Sequence, residues 1–193
     1  MSTVPIFADE HWRLPSRGRV GMLSLIIGES AIFTIFVVAY IYYIGRSVTG
    51  PTPQMLDVPI FNTVCLLSSS LTIWLAEHAI ERGKIRLFGA WWALTITLGA
   101  IFLIGTAVEW NKLITNGLTI RTNLFGTTFY SLVGLHATHV IVGLIGLSLI
   151  MLFTLLGRIE QRHAERIQVF SLYWHFVDAV WVVVFTVVYL VGR

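Results

Sequence analysis

"YWHFVDAVW", residues 173–181, lies inside an otherwise unbroken apolar run, preceded by "VFSL" and followed by "VVVFTVVYLV". A run of this length and composition suits a helix that crosses a bilayer, yet it carries His175 and Asp178 three residues apart. A carboxylate at the centre of such a helix costs about 2.5–3.5 kcal/mol on insertion scales. That cost has to be offset by a partner inside the protein. The i, i+3 spacing places His175 and Asp178 on one face, and an imidazole can hydrogen-bond a carboxylate or give it a proton. Asp178 is therefore expected to be sheltered by a histidine on its own or a neighbouring helix. Trp174 and Trp181, seven residues apart, share another face.

The rest of the chain has the same character. Of its 193 residues 56% are hydrophobic and 12% charged, and the mean hydropathy is +0.80. Soluble domains carry about a quarter charged residues, so the composition is that of an integral membrane protein. Five segments reach the length needed to span, at 20–45, 58–80, 87–110, 125–156 and 168–191. Lipid offers no backbone partners, so these segments are predicted as helices in one all-α bundle. The period-2 alternation of a membrane barrel is missing. Residues 1–19 read as a polar arm, broken by Pro5 and Pro15 and unlike a signal peptide. Residues 20–193 then form the transmembrane domain. Gly50, Pro51 and Pro53 mark the first connection as a turn-rich loop. Cys65 stands alone, which excludes an internal disulfide and a CxxC motif.

Basic residues set the expected orientation. Arg13, Arg17, Arg19, Arg82, Lys84, Arg86, Arg158, Arg162 and Arg166 fall on one side of the membrane. Arg46, Lys112, Arg121 and Arg193 fall on the other. The first group marks the cytoplasm, with the N-terminus inside and the C-terminus periplasmic. The sequence pI near 9.3 then reflects loops at a membrane surface, not a nucleic-acid patch.

Within the spans, Glu29 lies near the midplane and has no partner on its own helix. His136 and His139 lie about as deep in helix 4 and share a face at i, i+3. Glu109 closes the outer end of helix 3, and Glu77 with His78 the inner end of helix 2; the two glutamates are expected to meet water or to snorkel. The histidines read equally as polar packing between helices or as chemistry. A metal site or a bis-histidine haem site is disfavoured because the groups lie at different depths. For Glu29, proton transfer or a bound lipid headgroup stands beside a structural role. The serines of "LLSSSLT" read as close helix packing. On the residues alone the chain is a subunit of a membrane complex, a small transporter or proton channel, or a membrane metalloenzyme. The subunit reading fits best, since the five prolines precede or flank helix 2 and break no helix at the midplane.

Several ordered motifs also resemble subunit III of the haem-copper respiratory oxidases. Helix 5 is similar to that family's WHFVDxVW signature through Trp174, His175, Phe176, Asp178 and Trp181. Helix 4 is similar through Phe129, Tyr130, Gly134, His136, His139, Val140 and Gly143. Glu29 and Glu109 stand at the family's two intramembrane acidic positions. Gly28, Thr106 and Ala137 depart from the commonest residues. The five spans resemble the short bacterial form of the subunit, without the first two helices of the long form. The resemblance implies a non-catalytic chain of the bacterial inner membrane that binds no metal, with haem and copper held by subunits I and II. It implies bound phospholipid and support of oxygen entry and proton uptake. It further implies added helices of subunit I over the outer face of helices 1 to 3, covering Glu29 and His136. The accessory subunit of nitric oxide reductases is the alternative within the same superfamily.

Overall fold

A computed structural model describes residues 16–44, 46 and 56–191. The expected arm lies outside the described residues from 1 to 15, as do most of the first loop and Arg193. Among the described residues are five helices long and apolar enough to cross a membrane. They are α1 (Arg17–Tyr43), α2 (Ile60–Glu81), α3 (Ile85–Thr115), α4 (Leu124–Leu155) and α5 (Ala164–Phe185), the last continuing as a π-helical turn over Thr186–Val191.

The helices differ from their expected spans mainly where nothing stops a helix at the edge of an apolar run. α3 runs five residues past Glu109–Trp110 to Thr115, and ends only as Gly117 approaches. α1 begins at Arg17, so Arg17 and Arg19 belong to its first turn, where the Ser16 hydroxyl accepts from the Arg19 N–H at 3.4 Å. The ends of α2, α3 and α4 share one device. Gly83, Gly117 and Gly157 adopt φ of 69°, 86° and 67°, a left-handed conformation that side chains disfavour. That turn lets the following N–H groups of Lys84, Leu118 and Arg158 reach back to the carbonyls of Ala79, Leu113 and Phe153, each at 2.9 Å. Carbonyls at three helix ends are satisfied this way.

Helices α2, α3, α4 and α5 form a ring, each packed on the next, with α5 closing against α2. α1 lies outside the ring on the edge made by α4 and α5. Helices 1 to 3 therefore have no common outer face, contrary to the docking surface expected from the sequence. α1 buries Phe33 and Tyr40 and turns most of its other side chains outward. His136, expected on the face that subunit I covers, is fully buried within this chain.

The centre of the ring is a tryptophan between glycines. Trp174 is fully buried. A Cβ at Gly143 of α4 would stand 2.7 Å from its Cζ3, and one at Gly99 of α3 would stand 2.9 Å from its Cη2. Only a residue without a side chain leaves room for the indole on both sides. Gly143→Leu is expected to cost about 1–3 kcal/mol through overpacking, read as a lower midpoint of thermal unfolding in detergent. Gly21→Leu, where an added Cβ meets nothing within 4 Å, should leave the midpoint unchanged. Equal loss in both variants would contradict this account of the core.

Candidate functional site

Asp178, Glu29 and Glu109 each take part in a polar contact that joins two helices. The first lies between α2 and α5. Ser70 Oγ donates to Asp178 Oδ2 and stands 3.1 Å from His175 Nδ1. The i, i+3 pair does share a face, as its spacing predicts. The partner of Asp178 differs from expectation: it is the serine hydroxyl of α2, and His175 reaches the carboxylate only through that hydroxyl. Asp178 is 3% exposed, and its Oδ1 has no hydrogen-bond partner among the described residues. On the same side of α5, the indole N–H of Trp174 donates to Ser69 Oγ at 2.8 Å. That of Trp181 donates to Thr63 Oγ1 at 3.1 Å.

The second place joins α1 to α4. Glu29 Oε2 lies 3.1 Å from His139 Nε2, and His139 Nδ1 lies 2.8 Å from the Leu135 carbonyl. A carbonyl only accepts, so Nδ1 carries the hydrogen. Nε2 then either accepts from a Glu29 carboxylic acid or donates, as imidazolium, to a carboxylate. Both arrangements hold one proton between the two groups and no net charge, which suits a site half-open to lipid at side-chain exposures of 14% for His139 and 24% for Glu29. The Phe33 ring lies 5.0 Å from the imidazole, and Tyr173 O–H donates to the His139 carbonyl at 3.1 Å. Glu29 thus has its partner on another helix, consistent with its having none on its own.

The third place is at the far end, where Tyr189 O–H donates to Glu109 Oε1 at 2.9 Å. Glu109 is half-buried, and its bond to Tyr189 adds a protein partner to an acid expected to meet water or to snorkel. Tyr189 stands on the π-helical turn of α5, and such a turn rotates the residues that follow it relative to α-helical register. His136 belongs to none of these pairs. Its ring lies tilted against Trp181 at 5.0 Å and meets Phe102 edge-on at 5.8 Å. The shared face of His136 and His139 therefore divides: one histidine looks into the ring and the other toward α1.

Among the described residues, no three His, Cys, Asp or Glu side chains stand together as a set of metal donors. The remaining signature residues are structural in position. Phe176 packs near Phe33, with ring centroids 6.4 Å apart. Tyr130 O–H donates to the Leu118 carbonyl at 2.9 Å, and Gly134 faces the Trp110 ring.

Sequence reasoning missed Thr63, Ser69, Ser70 and Tyr189 as partners. The run of three serines at 68–70 inside an apolar helix was the available signal. A π turn leaves no such mark.

Comparison with known proteins gives the family of the chain. The family model described as cytochrome c oxidase subunit III matches residues 6–193. "Cytochrome c oxidase subunit 3" of Corynebacterium diphtheriae is 34% identical over 183 residues, covering 92% of this chain and 89% of the relative. The protein of the same name from Thermostichus vulcanus is 34% identical over 190 residues, covering 96% and 92%. That from Bacillus sp. strain PS3 is 32% identical over 194 residues, covering 98% and 94%. These matches favour the oxidase over the nitric oxide reductase and transporter alternatives, and with five membrane-length helices they identify the chain as a multi-pass membrane protein of the cytochrome c oxidase subunit III family.

Proposed function

We propose that this chain is the non-catalytic subunit III of a bacterial haem-copper terminal oxidase, bracing a subunit I that reduces O2 to water while the complex moves protons. The observation that carries the reading is how its would-be ligands are used. His139 bonds Glu29 and a carbonyl, His175 bonds Ser70, and His136 is sealed between Trp181 and Phe102. None of the three turns toward another histidine as a pair of haem ligands would. Haem and copper belong, in this reading, to subunits I and II.

The same reading places the basic end of the bundle in the cytoplasm and the Glu109–Tyr189 end in the periplasm of an inner membrane. Added helices of subunit I cover α1, whose outward side is apolar and unpacked, instead of a joint face of helices 1 to 3. Phospholipid fits the seam between α1 and α5. An apolar cavity of about 310 Å³ opens there, with Ser30, Phe33 and Val37 on one wall and Phe176, Val180 and Val183 on the other.

Purification through an affinity tag on this chain in mild detergent should bring down partner subunits with stoichiometric haem and copper. The chain released from its partners should show no haem spectrum and no bound metal. Haem or copper retained by the separated chain, or a tagged chain that brings down neither, would overturn the proposal. A bracing role also predicts how variants fail. Ser69→Ala leaves the buried Trp174 N–H unpaired, a loss of about 1–3 kcal/mol. The yield of assembled complex should fall while turnover per complex stays at the wild-type rate. Glu29→Gln, whose amide can still donate to His139, should assemble normally, and Glu29→Leu should not; equal yields from those two would remove the pair from the account of assembly.

A further inference from the structure

The Asp178 cluster opens toward the basic end of the bundle. At the basic end of the bundle a cavity of about 390 Å³ is lined by Arg19 of α1, Glu77 of α2, and Gln168, Val169, Leu172 and His175 of α5. His175 is thus both a wall of this cavity and the first member of a hydrogen-bonded series into the protein. Nδ1 is held by Ser70, which leaves Nε2 as the nitrogen for the cavity. Ser70 Oγ touches Asp178 on its other side. We propose that His175, Ser70 and Asp178 form a proton relay that loads the buried Asp178 carboxyl from this cavity.

The argument rests on what one hydroxyl can do between two titratable groups. Ser70 has one hydrogen to donate and lone pairs to accept with. In the first arrangement, Nδ1–H of a neutral His175 donates to Oγ, and Oγ–H donates to the Asp178 carboxylate. In the second, a carboxylic acid at Asp178 donates to Oγ, and Oγ–H donates to a bare Nδ1, with the imidazole hydrogen on Nε2. Both arrangements satisfy each atom of the series. They differ by one proton.

Passage from the first to the second is balanced. A proton from the cavity binds Nε2. The Nδ1–H bond breaks as its proton binds Oγ, and the original Oγ–H bond breaks as its proton binds Oδ2. The products are a neutral imidazole of the other tautomer, a hydroxyl and a carboxylic acid. One positive charge has entered, one carboxylate has been neutralised, and no electron has moved. Return follows the same bonds in reverse.

The surroundings make the series a closed branch. Among the described residues Asp178 Oδ1 is buried without a hydrogen-bond partner, and the other hydroxyl beside the carboxyl, that of Ser69, already donates to the Leu66 carbonyl. From α1 the charged group at the cavity is Arg19, whose guanidinium also donates to Gln168 Oε1 at 3.2 Å. From α2 it is Glu77, with Glu81 and His78 close behind it. On α4, His139 is engaged with Glu29, and His136 lies against Trp181 without a hydrogen bond. The relay stores a proton and gives it back at the end where it entered.

The test uses the purified oxidase complex containing this chain. The infrared C=O band that disappears in Asp178→Asn marks the carboxylic acid, and transfer into D2O shifts that band as the proton exchanges. In Ser70→Ala the exchange should slow by about a hundredfold, the scale of one positioned proton-transfer group. Ser70→Thr, which keeps the hydroxyl, should restore it. His175→Asn keeps a hydrogen-bonding group but cannot change tautomer, so it should slow exchange as Ser70→Ala does. It carries the test alone if Ser70→Ala does not assemble. Exchange at the wild-type rate in the alanine or asparagine variant would overturn the relay. So would a wild-type complex with no carboxylic acid band that Asp178→Asn removes.

Discussion

The indole N–H groups of Trp174 and Trp181 and the carboxyl of Asp178 stand on α5 at depths where no water can satisfy them, and α2 supplies the three hydroxyls that do. An unpaired polar group in hydrocarbon costs several kcal/mol, so α5 keeps these residues only while α2 lies against it in one register. The two serine hydroxyls each serve twice. Ser69 donates to its own Leu66 carbonyl at 2.6 Å and accepts from Trp174. Ser70 donates to Asp178 and meets His175. Small side chains are what make this possible, because only they bring the two backbones close enough for the bonds to form. α3 is fastened to the same helix by a second hydroxyl pair, Thr72 and Thr95, at 2.7 Å.

Once α2 and α5 are joined, the volume of Trp174 dictates the other two walls of the ring. The indole occupies space that a side chain at position 99 or 143 would otherwise take, so α3 and α4 approach at Gly99 and Gly143. Within a bilayer there is no hydrophobic force to favour one such packing over another, since lipid tails are as apolar as leucine. Shape and hydrogen bonds have to make the choice. The α3–α4 contact repeats the principle with Trp92, whose indole N–H donates to the Leu147 carbonyl at 2.9 Å.

The sequence was most informative where one residue type had one meaning. Span length and low charge gave five helices, and Gly83 and Gly157 sit just past the expected ends of helices 2 and 4, whereas Gly117 lies seven residues past that of helix 3. The shared face of His175 and Asp178 followed from their spacing alone. Partners were harder to read, because i, i+3 spacing says which way a side chain points and nothing about what meets it. His136 and His139 illustrate the limit. Three residues apart is about 60° around a helix, enough for one ring to face Trp181 and the other Glu29. The position of α1 outside the ring was equally hidden, since a helix apolar on nearly all sides does not announce which side is packed. Tyr189 was hidden for a different reason: its direction depends on a π turn that moves it out of α-helical register.

That ambiguity of α1 shows what the Glu29–His139 pair contributes. Ile27, Ile32, Ile35 and Val38 would be as comfortable against protein as they are toward lipid, so apolar burial does not fix the rotation of α1 about its own axis. Turning the helix by a single residue moves its side chains by about 100° and would carry Glu29 off His139 toward acyl chains. The carboxyl would then lose this partner, and His139 Nε2 would lose the carboxyl. A polar pair that holds one proton and no net charge is inexpensive to keep in the bilayer and costly to break there. That asymmetry is enough to orient a helix whose apolar surface cannot orient itself.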